Sequence, residues 1–84
     1  VARHVENFLE MMAAERGAAA NTLEAYRRDL ADFTDFLTTL GLSEDQADSS
    51  VLRDYIAQLK RRGLAARSAA RHLSTLRQFH QFLF

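Results

Sequence analysis

Four polar side chains near the C-terminal end, Arg67, Arg71, Ser74 and Gln78, recur at i, i+4, i+7 and i+11. In a helix that spacing stacks them into one strip about three turns long. No acid interrupts the strip, whereas a solvated helix face usually mixes both signs. Arginine offers a planar fork of donors that matches a guanine edge or a phosphate, and serine and glutamine can contact bases or phosphates. The strip therefore has the chemistry of a helix laid in the major groove of a nucleic-acid duplex. On composition alone, the same two arginines also fit an ordinary exposed face. A second candidate lies at Asn21 and Thr22, which are expected to open a helix, with Arg27 and Arg28 one to two turns further on. The free N–H groups and positive dipole end of a helix N-terminus suit a phosphate. Asn21 and Thr22 serve equally well as simple caps.

Other chemistries find little support. Tyr26 and Tyr55 fall on apolar stripes, which marks them as core residues with a hydrogen-bonded hydroxyl rather than nucleophiles. His4, His72 and His80 are scattered without metal-ligand spacing, and cysteine is absent, so thiolate metal sites and disulfides are excluded. His72 and His80 border the inner side of their helix and read as structural. Glu6, Glu10, Asp29, Asp32 and Asp35 are assigned to solvated faces, none within a His–Ser arrangement. Lys60, Arg61 and Arg62 precede Gly63, where the negative end of a helix favours cations without any ligand. No catalytic residue, metal, cofactor or small-molecule substrate is expected.

The elements that must position these residues are helices. The 84 residues contain no proline and three glycines, and a chain rich in Ala, Leu, Arg and Glu favours helix. Apolar spacing predicts helix 1 from about Ala2 to Arg16, stopped by Gly17. Helix 2 runs to about Leu40, with Asn21 as N-cap, Glu24 completing a box and Gly41 at the C-terminal turn. Its stripe is Leu23, Tyr26, Leu30, Phe33, Leu37 and Leu40. Residues 42–50 read as an exposed loop, with Ser49 or Ser50 capping helix 3. Leu52, Tyr55, Ile56 and Leu59 turn inward there, and Gly63 ends the helix. Helix 4 starts near Ala66, with Ala69, Leu73, Leu76, Phe79, His80 and Leu83 on its inner side. The fold class is all-α, a four-helix bundle.

Net charge is zero, but its distribution is uneven. Residues 1–50 carry four arginines against ten acids, a net of −6, while residues 51–84 carry six arginines and one lysine against Asp54, a net of +6. Such polarity is the footprint of a molecule with one basic face. It is equally what two halves that neutralise each other by packing would show, and both can hold at once. The start has no signal-peptide pattern, and no apolar run is long enough for a membrane span, so a cytoplasmic location without membrane partners is expected. The missing initiator Met and the apolar ending Phe82-Leu83-Phe84 are read as edges within a longer chain.

Two ordered blocks resemble a known family. Asn21-Thr22-Leu23-Glu24-Ala25-Tyr26-Arg27-Arg28-Asp29-Leu30, then Phe33 and Phe36-Leu37, is similar to the NTxxAYRRDLxxFxxFL signature of Xer-type tyrosine recombinases. Asp54-Tyr55-Ile56, Gly63-Leu64-Ala65-Ala66-Arg67-Ser68, Arg71-His72-Leu73-Ser74 and Leu76-Arg77-Gln78-Phe79 match a second block of the same proteins in order and spacing. The resemblance covers about residues 2–84. It implies a SAM-like core-binding domain, one half of a clamp around a recombination half-site of double-stranded DNA. The full-length protein would act with a partner recombinase subunit in a tetrameric synapse. The catalytic domain with its nucleophilic tyrosine would lie outside this chain, which by itself is expected not to be an enzyme.

Carried over residue by residue, the family's DNA contacts fall on Thr22, Arg28, Arg67, Arg71 and Thr75, with Ser68, Ser74, Arg77 and Gln78 as neighbours. Ala65 stands where the family usually has serine, removing an N-cap worth about 1 kcal/mol. Two other readings stay open: a phage or transposon integrase of the same superfamily, and a small helical module whose arginines bind an acidic protein.

Overall fold

The computed structural model describes the backbone from Ala2 to Phe84 and the side chains from His4 onward; the side chain of Arg3, one of the cations in the charge count, lies outside the described residues. Four α-helices follow one another: α1 (Ala2–Glu15), α2 (Ala20–Leu40), α3 (Ser49–Arg61) and α4 (Ala66–Leu83), with a 3-10 turn at Glu44–Gln46. Among the described residues no helix is long and apolar enough to cross a membrane.

The helix ends show why the chain breaks where it does. After α2, the Gly41 N–H donates to the Thr38 carbonyl and the Leu42 N–H to the Leu37 carbonyl. This Schellman pairing needs a left-handed residue, and Gly41 takes φ 70° at no Cβ cost. The same pattern recurs at Gly63, where Gly63 and Leu64 donate to the carbonyls of Lys60 and Leu59. The N-termini differ from the sequence expectation. The residue preceding α2 is Ala19, with extended backbone and no side-chain cap. Asn21 therefore sits inside the first turn and caps nothing. Asp48, rather than Ser49 or Ser50, caps α3 by accepting from the Val51 N–H at 3.0 Å.

Residues 42–50 are not a plain exposed loop. Ser43 and Gln46 form a reciprocal capping box, which folds the segment tightly enough to bury Ala47 and Glu44. The Ala47 carbonyl accepts a hydrogen bond from His80 Nε2 at 3.0 Å, tying the connection to α4. Neither carboxylate oxygen of Glu44 has a donor among the described residues.

The core gathers Val5, Phe8, Leu9 and Met12 of α1, Leu30, Phe33 and Leu37 of α2, Tyr55 and Leu59 of α3, and Leu76 and Phe79 of α4. Phe8 is its hub, with the rings of Phe79, Phe82 and Tyr26 at 5.5, 5.6 and 6.2 Å. Such tilted and edge-on contacts add to the area each ring buries. The apolar stripes of α2 and α3 face inward as their spacing predicts, except that Leu40 is exposed and Ile56, only partly covered, does not pack against the core. In α4 the buried line is His72, Thr75, Leu76 and Phe79, while Leu73, His80 and Leu83 are only partly covered. The helix is thus turned towards α2 relative to the apolar reading, because polar groups of α4 have partners inside.

Candidate nucleic-acid interface

Those partners are two aspartates on α2. Asp29 is 2% exposed, so the reading of it as a solvated acid is corrected. Its carboxylate accepts from Arg71 Nε at 3.1 Å and Arg71 Nη2 at 2.8 Å. The Thr75 hydroxyl lies 3.2 Å from Asp29 Oδ2 and 3.1 Å from the Arg71 carbonyl oxygen, within reach of both acceptors. His72 Nε2 approaches Asp29 Oδ1 at 3.5 Å. A carboxylate buried this deeply is tolerated because its lone pairs are met by a charged fork and a hydroxyl.

Asp32, one turn further on, is half-buried rather than solvated. It accepts from the Tyr55 hydroxyl at 2.5 Å and from Arg62 at 2.9 Å. Burial alone would raise its pKa, but the hydrogen bonds from Arg62 and Tyr55 outweigh it and hold the carboxyl below its usual 3.8. Burial, followed by the hydrogen bond to Asp32, pushes the Tyr55 phenol far above its ordinary value, which is the state of a structural tyrosine and a poor nucleophile. His72 Nδ1 lies 3.4 Å from the Tyr55 oxygen. A polar seam therefore runs through the bundle from Arg71 through Asp29, His72 and Tyr55 to Asp32 and Arg62.

The seam decides where the predicted site residues lie. Arg67, Arg71 and Ser74 are exposed on one side of α4, and Gln78 is half-buried with its amide 3.4 Å from the Tyr26 hydroxyl. Gln81, also exposed, stands three residues past Gln78 and extends the strip. The sequence reading missed it although its spacing was visible. Thr75 is 1% exposed, so in this arrangement it braces Asp29 and offers no surface; the expectation that it contacts DNA is corrected. Ser68 is half-buried on the flank. Arg77 is exposed on the opposite flank, over a groove lined with Leu52, Leu73, Leu76, His80 and Phe84, whose rim Gln81 shares with the end of the strip.

The contacts Tyr26–Gln78 and Asp29–Arg71 run in opposite order along the two helices, so α2 and α4 are antiparallel. Asn21 and Thr22, both exposed, lie towards the Gln78 end of the strip, and Arg67 lies at the other end. Arg28 is exposed, and among the described residues no carboxylate pairs with it. Arg27 pairs instead with Glu6 of α1, which ties α1 to α2. Among the described residues no group of three or more His, Asp or Glu side chains could hold a metal ion.

The bundle thus presents one side of α4 that carries no acid of its own and an exposed N-terminal turn on α2. The chain belongs to the family described as phage integrase, N-terminal SAM-like domain, whose model matches residues 5–84. It is 53% identical over 83 residues to the tyrosine recombinase XerD of Rhizobium meliloti (strain 1021), covering 99% of this chain and 27% of that protein. The tyrosine recombinase XerD of Agrobacterium fabrum (strain C58 / ATCC 33970) is 52% identical over 80 residues, 95% of this chain and 24% of its own. That of Caulobacter vibrioides (strain ATCC 19089 / CIP 103742 / CB 15) is 47% identical over 76 residues, 90% of this chain and 25% of its own. The chain thus spans about a quarter of the length of these curated relatives. No solved structure matches it.

Proposed function

We propose that the exposed side of α4, with the N-terminal turn of α2 at one end, lies on duplex DNA and grips one half-site for a site-specific recombinase. The observation that carries this reading is the acid-free strip of Arg67, Arg71, Ser74, Gln78 and Gln81. Arg28 and Arg67 supply unpaired charge for phosphates, and Thr22 sits where backbone N–H groups of α2 can reach another. The relatives are named as tyrosine recombinases, and this chain corresponds to about a quarter of each. Its part in such a protein is positioning, with strand cleavage and rejoining left to a domain elsewhere in a longer chain and a recombinase subunit as protein partner. Tyr55, buried and bonded to Asp32, is given a structural place in this reading, and no catalytic role is assigned to it.

Fluorescence anisotropy with a short duplex over a salt series tests the reading. About four phosphate contacts give a log–log slope of about −3 to −4. The Arg67→Ala/Arg71→Ala variant is expected to lose most of that binding. Equal binding by both proteins would move the DNA face away from α4. Salt-insensitive, weak DNA binding alongside tight binding of an acidic protein would replace the reading with that of a protein-interaction module.

A further inference from the structure

We infer that Asp29 is a positioning residue that converts Arg71 from a mobile surface charge into a fixed reader of a base edge. This rests on the proposal that α4 lies on DNA. Arg71 is gripped along its Nε–Nη2 side, so the free donors are those of the Nη1–Nη2 end. That end carries two parallel N–H bonds, the pair that meets guanine O6 and N7 or two oxygens of one phosphate. Asp29 is itself immobile, being buried and braced by Thr75, while 53% of the Arg71 side chain remains exposed. The anchor is inside and the fork is outside.

Charge arithmetic distinguishes base reading from phosphate binding. A carboxylate bonded to Arg71 cancels much of its long-range attraction, and affinity for phosphates grows with each uncompensated cation. An arginine meant only for phosphate is better left unpaired, as Arg67 and Arg28 are among the described residues. What Asp29 adds is direction. A long side chain that would otherwise sample many rotamers is held in one, so the ordering cost falls in folding rather than in binding. Fixed direction matters little to a diffuse phosphate field and greatly to a bidentate base contact, where a good pair discriminates by about 1–3 kcal/mol, or about 5- to 150-fold.

The test uses two probes, a duplex library randomised over 16 base pairs and one fixed duplex titrated with salt. Sequencing of the bound fraction is expected to show that the wild-type chain prefers guanine at one position. Asp29→Asn is expected to lose that preference as fully as Arg71→Ala, while the fixed duplex is still bound with a salt slope at least as steep as that of the wild type, because the Arg71 charge is no longer compensated. A merely structural role would weaken binding to every sequence alike. Arg71→Lys covers the case in which Asp29→Asn fails to fold: it keeps the exposed charge, lacks the fork, and is expected to lose the same preference. Retention of the guanine preference in folded Asp29→Asn, or in Arg71→Lys, overturns the inference. Salt-dependent binding by the wild type with no base preference overturns it too, and leaves the DNA-binding reading intact. No binding of any duplex at low salt overturns both.

Discussion

Asp32 stands one turn beyond Asp29 and faces α3, where Tyr55, and Arg62 just past the helix end, hydrogen-bond to it. Its carboxyl is held below its usual 3.8 in the folded chain, so the folded state binds that proton less readily than the unfolded state. The resulting stabilisation is fully present above about pH 4 and is lost as pH falls through the lower, folded-state value. Asp32→Asn is expected to cost about 1–3 kcal/mol near neutral pH. The gap to wild type should close below pH 4, as read from urea melts across a pH series. A gap that persists unchanged in acid would show that Asp32 acts through shape rather than charge. At this scale the sequence was legible for the exposed arginines and misleading for the acids. Asp29 and Asp32 look solvated because helical periodicity scores hydrophilicity, and nothing local shows that an arginine 42 residues away or a buried tyrosine will meet them. Thr75 was misplaced for the same reason, since its burial follows from Asp29.

Helix boundaries were largely legible, because glycine marks the C-terminal turns and apolar spacing marks the bodies. The N-termini were not. Asn21 is a good capping residue in a poor position, and Ala19 and Ala65 occupy the capping positions with extended backbone and no side-chain bond. An extended residue ahead of a helix is the geometry from which serine accepts a backbone N–H. Ala65→Ser is therefore expected to stabilise the domain by about 0.5–1 kcal/mol, measurable as a raised urea midpoint at constant m-value. A fall in the midpoint would mean that the first turn of α4 has no room for the hydroxyl. The rotation of α4 belongs to this scale as well. Apolar counting centred its inner face on Leu73, Leu76 and His80, whereas the bonds to Asp29 draw in His72 and Thr75.

For the whole molecule, the charge polarity is in part neutralised by packing between the two halves. Arg71–Asp29 and Arg62–Asp32 each join the basic half to the acidic half, while Arg28 and Arg67 stay outside such pairs among the described residues. The helices close on Phe8, which is fully buried and meets rings from α2 and α4. Truncating a core phenylalanine costs about 3–5 kcal/mol, against a total stability of about 5–15 kcal/mol for a domain. Phe8→Ala is expected to shift the urea midpoint strongly and to weaken the proposed DNA binding only in proportion to the unfolded fraction; loss of binding by a folded variant would contradict the separation of core from proposed interface. The polar seam also bears on which bundles this chain can form. Turning α2 by a single residue rotates its face by about 100°, which would carry Asp29 and Asp32 away from their partners. An ion left unpaired inside a protein costs several kcal/mol, a large share of what the whole domain has. Two aspartates one turn apart, each matched to partners on a different side of α2, are expected to act as a key, so that Asp29→Leu/Asp32→Leu would admit competing packings, seen as broadened amide spectra where the wild type gives one set of peaks.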